Sequence, residues 1–236
     1  METLFQYVAP PSECSYLPDK TSCLRYEFVA SLSAAEYESR MMEGWRRFGR
    51  MLFKPTCRSC NECRSIRVLV KEFQPNRSQR RCLKANGDEI EIVIGSPDVS
   101  EDRLDLYDRY HSFQADFKGW PFHGEKQAYD YAESFVNNPF PTEEWRYYLH
   151  GELIALGYVD ALPNSMSAIY FFYEPEQRDR SLGTYNVLCI LEEARKRGLD
   201  YVCLGYFVEG CRSMEYKRRF RPHQLLEADG KWHLNE

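Results

Sequence analysis

Three cysteines at CxxCxxC spacing, Cys57, Cys60 and Cys63, follow directly on a basic and aromatic run, Gly44-Trp45-Arg46-Arg47-Phe48-Gly49-Arg50-Met51-Leu52-Phe53-Lys54-Pro55. Thiolates at loop spacing suit a soft metal or an iron–sulfur cluster, and clustered guanidinium groups suit phosphate. Closed soft sites usually take four ligands, so a fourth must come from elsewhere. Cys14, beside Tyr16-Leu17-Pro18, is the first choice and Cys23 the substitute. No histidine pair offers itself, so zinc here would be all-thiolate, and zinc and an iron–sulfur cluster both stay open. Cys82, Cys189 and Cys203 fall in expected regular elements and read as packing thiols.

Two further constellations lie in the second half. Arg180-Ser181-Leu182-Gly183-Thr184-Tyr185 puts a glycine at the start of a helix, where unpaired N–H groups and the positive end of the dipole can hold a phosphate. It resembles a degenerate form of the acetyltransferase loop that cradles the pyrophosphate of acyl-CoA, with bulky Tyr185 in place of the final small residue, which argues against close packing of CoA. Leu204-Gly205-Tyr206 through Tyr216-Lys217-Arg218-Arg219-Phe220-Arg221-Pro222 is a polar, aromatic and basic run just beyond an expected buried strand, where an α/β core places ligand groups.

The elements that must position these groups follow from periodicity. Leu24 to Ala30 alternates as a strand, and the capping box Ser33-Ala34-Ala35-Glu36 opens a helix expected to run to about Arg47. Strands are expected at 66–70 and 89–94 around a basic helix at 78–84, then helices at 101–113 and 125–136. Period-two strands at 145–150, 153–162 and 166–173 give an antiparallel trio. A helix from the Gly183 loop to Gly198 and a buried strand, Tyr201 to Phe207, complete the series. Strands, glycine-bearing loop, helix and strand in that order form an acetyltransferase-like (GNAT-like) core. The expected class is α+β, a mixed and mainly antiparallel sheet flanked by helices, with an N-terminal cysteine-containing α/β region (1–97) packed on a C-terminal domain (98–236).

At 236 residues, 43% hydrophobic and 28% charged, the chain can build a sizeable core, which excludes disorder. The N-terminus has no basic start followed by an apolar run and no stretch approaches a bilayer span, so a cytoplasmic protein without a membrane partner is expected. Nine cysteines then belong to a reducing compartment. The net charge of −5 hides an asymmetry: residues 40–84 carry +10 and the remainder −15. Such a dipolar chain can grip a polyanion with one region while the rest keeps it soluble.

Together these motifs resemble the aminoacyl-tRNA–protein transferases, the arginyl- and leucyl-transferases of the N-degron pathway. The resemblance covers most of the chain and rests on Gly44-Trp45-Arg46-Arg47, Phe53-Lys54-Pro55, Ser78-Gln79-Arg80-Arg81, Ser181-Leu182-Gly183-Thr184-Tyr185, Leu204-Gly205-Tyr206 and Met214-Glu215-Tyr216-Lys217, in family order. The compact length and the cysteine loop look like the bacterial branch, which moves leucine onto proteins beginning with Asp or Glu; the eukaryotic branch moves arginine. The partners implied are aminoacyl-tRNA and polypeptides with N-terminal Asp or Glu, and DNA is not expected. One departure stands out: where the family commonly has an Arg-His pair, this chain has Gln114-Ala115, and Trp120-Pro121-Phe122-His123 is expected to fill the space.

An aminoacyl ester on tRNA is already activated, so transfer needs no cofactor and no enzyme nucleophile, only an aligned α-amine and the removal of one proton. Asp160 is the expected base, with Tyr206 as its hydrogen-bond partner. Lys217, then Arg178, is expected to read the acceptor's acidic side chain. Arg46, Arg47, Arg50, Lys54, Arg77 and Arg80 are expected to grip the tRNA, with Arg180 and Gly183 at its terminal adenosine. Two competing readings are an acyl-CoA-dependent N-acyltransferase and a metal-dependent RNA-binding module.

Overall fold

The computed structural model describes residues 1–121 and 124–235. The first strand, β1 (Glu2–Val8), precedes two short strands, β2 (Ser12–Glu13) and β3 (Thr21–Ser22), and then β4 (Leu24–Ser31) and α1 (Ala34–Met42). The Ser33 hydroxyl accepts from Glu36 N–H and the Glu36 carboxylate accepts from Ser33 N–H, so the capping box forms as expected. The helix stops at Met42 rather than about Arg47. Gly44 (φ +95°) turns the chain, and the basic run becomes a hairpin of β5 (Arg46–Phe48) and β6 (Met51–Pro55). Gly49, at the tip, has φ +50°, and a Cβ there would lie 1.9 Å from the Glu133 carbonyl oxygen, so only glycine fits. These strands form a four-stranded sheet ordered β1-β4-β6-β5.

The second sheet has eight strands. It takes β7 (Arg64–Leu69), then, after α2 (Arg77–Gly87), β8 (Ile90–Gly95). Two helical segments follow, α3 (Glu101–Lys118) and α4 (Ala128–Tyr131), the latter continuing as one π-helical turn, Ala132–Val136. Next come β9 (Glu143–Leu149), β10 (Glu152–Ala161) and β11 (Ser165–Tyr173). A 3₁₀ turn, Pro175–Arg180, leads into α5 (Leu182–Lys196) and β12 (Tyr201–Phe207). After a second 3₁₀ turn, Glu215–Arg219, the hairpin β13 (His223–Leu226) and β14 (Trp232–Asn235) ends the chain. The order is β14-β13-β7-β12-β11-β10-β9-β8, and only β11 and β12 run parallel.

Both faces of this sheet are covered. β10 contributes Ala155 and Val159 to the core beneath α5, and Leu156 and Tyr158 to the core shared with α3 and α4. A strand buried on both sides reads as a nearly continuous apolar run, which is what Leu153 to Val159 shows. The small sheet and α1 join the body through a third core, in which Trp45 and Leu52 pack with Leu162 and Cys203. The expected α+β architecture is therefore present; the small sheet ends with β6 at Pro55 and the large sheet takes its first strand at Arg64. β7 and β8 belong to the large sheet because β7 finds antiparallel partners in both β12 and β13.

Candidate active site

Parallel pairing of β11 with β12 stops after Ser167 and Cys203. Beyond it the strands splay, and the start of α5 looks into the gap. A pocket of about 580 Å³ fills the splay, walled by β11 from Ser167 to Tyr173, by the α5 start from Ser181 to Val187, by Leu204 to Tyr206 of β12, and by β5 and the Ser213–Lys217 segment. A Cβ on Gly183 would meet no atom within 4 Å, so the first turn of α5 is open on that side. Ser181 holds a left-handed φ of +56°, which turns the chain into the helix. Tyr185 does not line this pocket. Its ring is buried against Tyr147, so its bulk is no obstacle to a phosphate ligand, contrary to the expectation from sequence.

The charged residues among the described ones that line the pocket are all basic. Among the described residues lining it are Arg46, Arg47, Lys118 and Lys217, and no Asp, Glu or His. Arg46 is 6% exposed; its Nη1 donates to the Trp45 carbonyl (2.6 Å), its Nη2 to the Gly205 carbonyl (3.2 Å), and its buried Nε has no hydrogen-bond partner among the described residues. Lys217 Nζ donates to the Tyr206 carbonyl at 2.6 Å. Gly205 has φ +77°, and between Cys203 and Tyr206 the β12 strand carries one residue more than its partner β7. This bulge turns two successive carbonyls, Gly205 and Tyr206, onto two cations, a familiar use of bulges beside active sites. Burial, then the neighbouring Arg46 charge, pulls the Lys217 amine down to about 7.

Asp160 is not available as the base. It is fully buried, receives Arg47 Nε at 3.0 Å and a second bond from Arg47 Nη2, and accepts from the Thr142 hydroxyl at 2.9 Å. Burial lifts its carboxyl above the usual range, against the pull of Arg47 and Thr142. Arg47 also donates to Gly49 and Asn138, so the pair is closed on itself and Arg47 is not a tRNA ligand. Tyr206 is not Asp160's partner: its hydroxyl donates to the Gly44 carbonyl (2.7 Å) and its ring lies 5.3 Å from the Arg46 guanidinium.

The other expected cations divide in the same way. Arg50 donates to Ala30 and Lys54 to the Glu43 carbonyl (2.6 Å), while Arg180 is paired with Glu89 at 2.9 Å. Much of the +10 region is thus consumed by internal acceptors. Arg77 and Arg80 stay exposed on α2, whose Asn86 donates to the Arg180 carbonyl at 3.0 Å, so this basic helix abuts the loop that opens α5. Arg178 is exposed beside the Phe113 ring, outside the pocket. Gln114 is buried beside Tyr110, a residue of the pocket wall, and its Oε1 has no hydrogen-bond partner among the described residues. Trp120 lines the pocket, whereas Phe122 and His123 of that segment lie outside the described residues.

Cys14, Cys57, Cys60 and Cys63 line a second cavity of about 540 Å³, which shares Tyr16, Phe53 and Tyr206 with the first. Burial, then the nearness of Cys14, Cys57 and Cys60, pushes the Cys63 thiol up to about 12. Four thiols on one cavity suit a soft metal in donor chemistry. As folded, no three His, Cys, Asp or Glu side chains among the described residues converge on a common metal position.

Sequence reasoning missed Arg46 as a pocket residue. The available signal was Gly49 followed by one residue between two alternating segments, a hairpin pattern that sends Arg46 and Arg47 to opposite faces.

A splayed mixed sheet with a helix start aimed into a cationic pocket defines an acyltransferase-like protein. Solved structures share the fold: FemX, with a TM-score of 0.52 at 6% identity, covers 93% of this chain and 85% of its own. The C-terminal domain of a putative lysylphosphatidylglycerol synthetase from Agrobacterium fabrum has a TM-score of 0.50 at 13% identity over 73% of this chain and 58% of its own. In sequence, the family profile for the N terminus of arginine-tRNA-protein transferase matches residues 12–81 and that for its C terminus residues 102–227. The chain is 35% identical to an aspartate/glutamate leucyltransferase from Campylobacter jejuni, over 95% of this chain and 93% of the relative. It is 36% identical to one from Pseudomonas aeruginosa, over 96% and 94%. The chain belongs to the arginine-tRNA–protein transferase family.

Proposed function

We propose that this protein moves leucine from charged tRNA onto the N-terminal α-amine of polypeptides that begin with Asp or Glu, in the cytoplasm, marking them for N-degron degradation. The observation that carries the reading is the pocket at the head of α5, with cations and no carboxylate among its described lining residues. An acidic acceptor side chain gains there what a neutral one does not, because a buried cation rewards a charge-assisted partner. Leucine is preferred to arginine as donor because the relatives at 35–36% identity carry the leucyltransferase name. A cationic guanidinium on the donor would also meet like charge in this pocket.

The open first turn of α5 at Gly183 takes the terminal adenosine region of the tRNA, and exposed Arg77 and Arg80 on the adjoining α2 take phosphates of the acceptor arm. Arg46 and Lys217 face the acceptor. The transfer itself uses no cofactor. Zinc or an iron–sulfur cluster on Cys14, Cys57, Cys60 and Cys63 would stiffen a wall that the pocket shares, and metal analysis with an absorption spectrum distinguishes the two and a metal-free active protein.

The test is to supply a pool of charged tRNAs with peptides beginning Asp, Glu and Ala, and to read the added mass. A gain of leucine on the Asp and Glu peptides is expected. No gain on any peptide would remove the reading, and a gain of arginine would correct the donor.

A further inference from the structure

With Asp160 sealed against Arg47, no carboxylate or imidazole among the described pocket residues can take the proton that the acceptor's α-ammonium must lose. We infer that Lys217, in its neutral form, is the proton acceptor for the incoming α-ammonium, while Arg46 holds the acceptor's acidic side chain. This rests on the aminoacyl-transfer reading and adds to it the identity of the base.

The geometry assigns the two cations different work. Arg46 reaches the pocket with a buried Nε that no atom of the described residues satisfies, and its guanidinium is fixed by the Trp45 and Gly205 carbonyls. Guanidinium groups as a class hold their charge in proteins. Lys217 is half-buried and held by the Tyr206 carbonyl. The groups that face it are the Arg46 guanidinium from β5, the Cys211 thiol from the loop after β12, and Tyr206, whose own phenol is turned away onto Gly44. Glu215, on its own 3₁₀ turn, is engaged with Arg218 at 3.3 Å and with the Gly210 N–H. A lysine desolvated beside a fixed cation, without a carboxylate partner, favours the neutral amine, and the value of about 7 agrees. That matches a base to its task, since the α-amine it must deprotonate titrates near 7.7–8.0.

The α-ammonium gives one proton to Lys217 Nζ, and the freed amine attacks the ester carbonyl carbon, forming the C–N bond. As the intermediate collapses, the bond from that carbon to the ribose oxygen breaks. The ribose oxygen takes the second proton from the attacking nitrogen, leaving amide and tRNA hydroxyl. Lys217, now cationic, releases its proton to water.

Lys217→Arg keeps a cation and cannot act as base, and Lys217→Ala leaves room for an added amine. In the full chain, with melting temperature monitored, kcat/KM for an Asp-initiated peptide in the wild type rises with pH through about 7. In Lys217→Arg the expected acid limb moves to about 8, the titration of the free α-amine, with the rate at neutral pH down about 100-fold, while preference for Asp over Ala peptides is retained. Methylamine or ethylamine is expected to restore part of the Lys217→Ala rate. A folded Lys217→Arg enzyme with the wild-type rate and acid limb would overturn the inference. So would loss of Asp preference in that variant with an unmoved limb, or failure of every added amine to rescue Lys217→Ala. A wild type that transfers nothing to any peptide defeats the functional reading instead, so the two failures are distinguishable.

Discussion

Arg47 turns into the interior from β5 and meets Asp160, Thr142, Asn138 and Gly49, while Arg46, one residue earlier, turns to the other face and donates to the Trp45 and Gly205 carbonyls beside the Tyr206 ring at the wall of a pocket. Both guanidinium groups are buried. The difference is the counter-ion: a buried cation with a bidentate carboxylate is a finished structural unit, whereas one without a carboxylate holds unspent attraction for an anion. Beside Arg46 the same logic acts on Lys217: burial and the Arg46 charge pull its amine down to about 7, and no carboxylate among the described lining residues offsets them. Structure consumed one cation of the pair and left the other for ligand.

That contrast can be broken in several ways. Asp160→Ala should have the largest effect, since it strands Arg47 as an uncompensated buried charge. A loss of about 3–5 kcal/mol is expected in urea unfolding, and a double change that also replaces Arg47 by Met should recover most of it. Arg46→Gln should leave the fold more nearly intact but cut discrimination between Asp- and Ala-initiated peptides by about 10- to 100-fold in kcat/KM, on the order of 1.4–2.7 kcal/mol. Undiminished discrimination would move acid reading elsewhere in the pocket.

Lys217→Met sharpens the comparison through pH. The folded-state value of about 7 lies below the unfolded value of about 10.4. Between them the unfolded chain binds the extra proton, so wild-type stability rises with pH across that window. The cost of the charged amine is present in full below about 7 and absent above the unfolded value. The variant should therefore gain most in melting temperature over wild type at pH 6 and progressively less towards pH 10. A gain independent of pH would mean that packing, not charge, sets it.

Smaller effects belong to the surface cations. Replacing Arg77 and Arg80 together by Ala should weaken tRNA binding several-fold and reduce the slope of log affinity against log salt by roughly 1.5 to 2, because two phosphate contacts are lost. Arg178→Ala, exposed beside Phe113, should change acid discrimination by less than twofold and stability by no more than about 0.5 kcal/mol.

The elements from residue 66 to 207 were legible in the sequence in their order, because amphipathic periods and caps are local properties. Ser33 and Glu36 cap α1 as read, and Tyr201 to Phe207 is the buried strand as read. The family was legible too, through motifs quoted residue by residue. Where local rules competed, the outcome was tertiary. The run after Met42 has helix formers on both sides of glycines, yet it pairs as a hairpin alongside β4, with Gly49 packed against the Glu133 carbonyl. Which of two adjacent arginines faces a carboxylate depends on Asp160, more than a hundred residues along the chain, arriving beneath β5. Whether a thiol loop or a basic run serves a ligand or the fold is likewise a question of which acceptors fold back onto it. Charge spacing is written locally, but compensation of charge is decided by long-range packing, and only the uncompensated groups are left for chemistry.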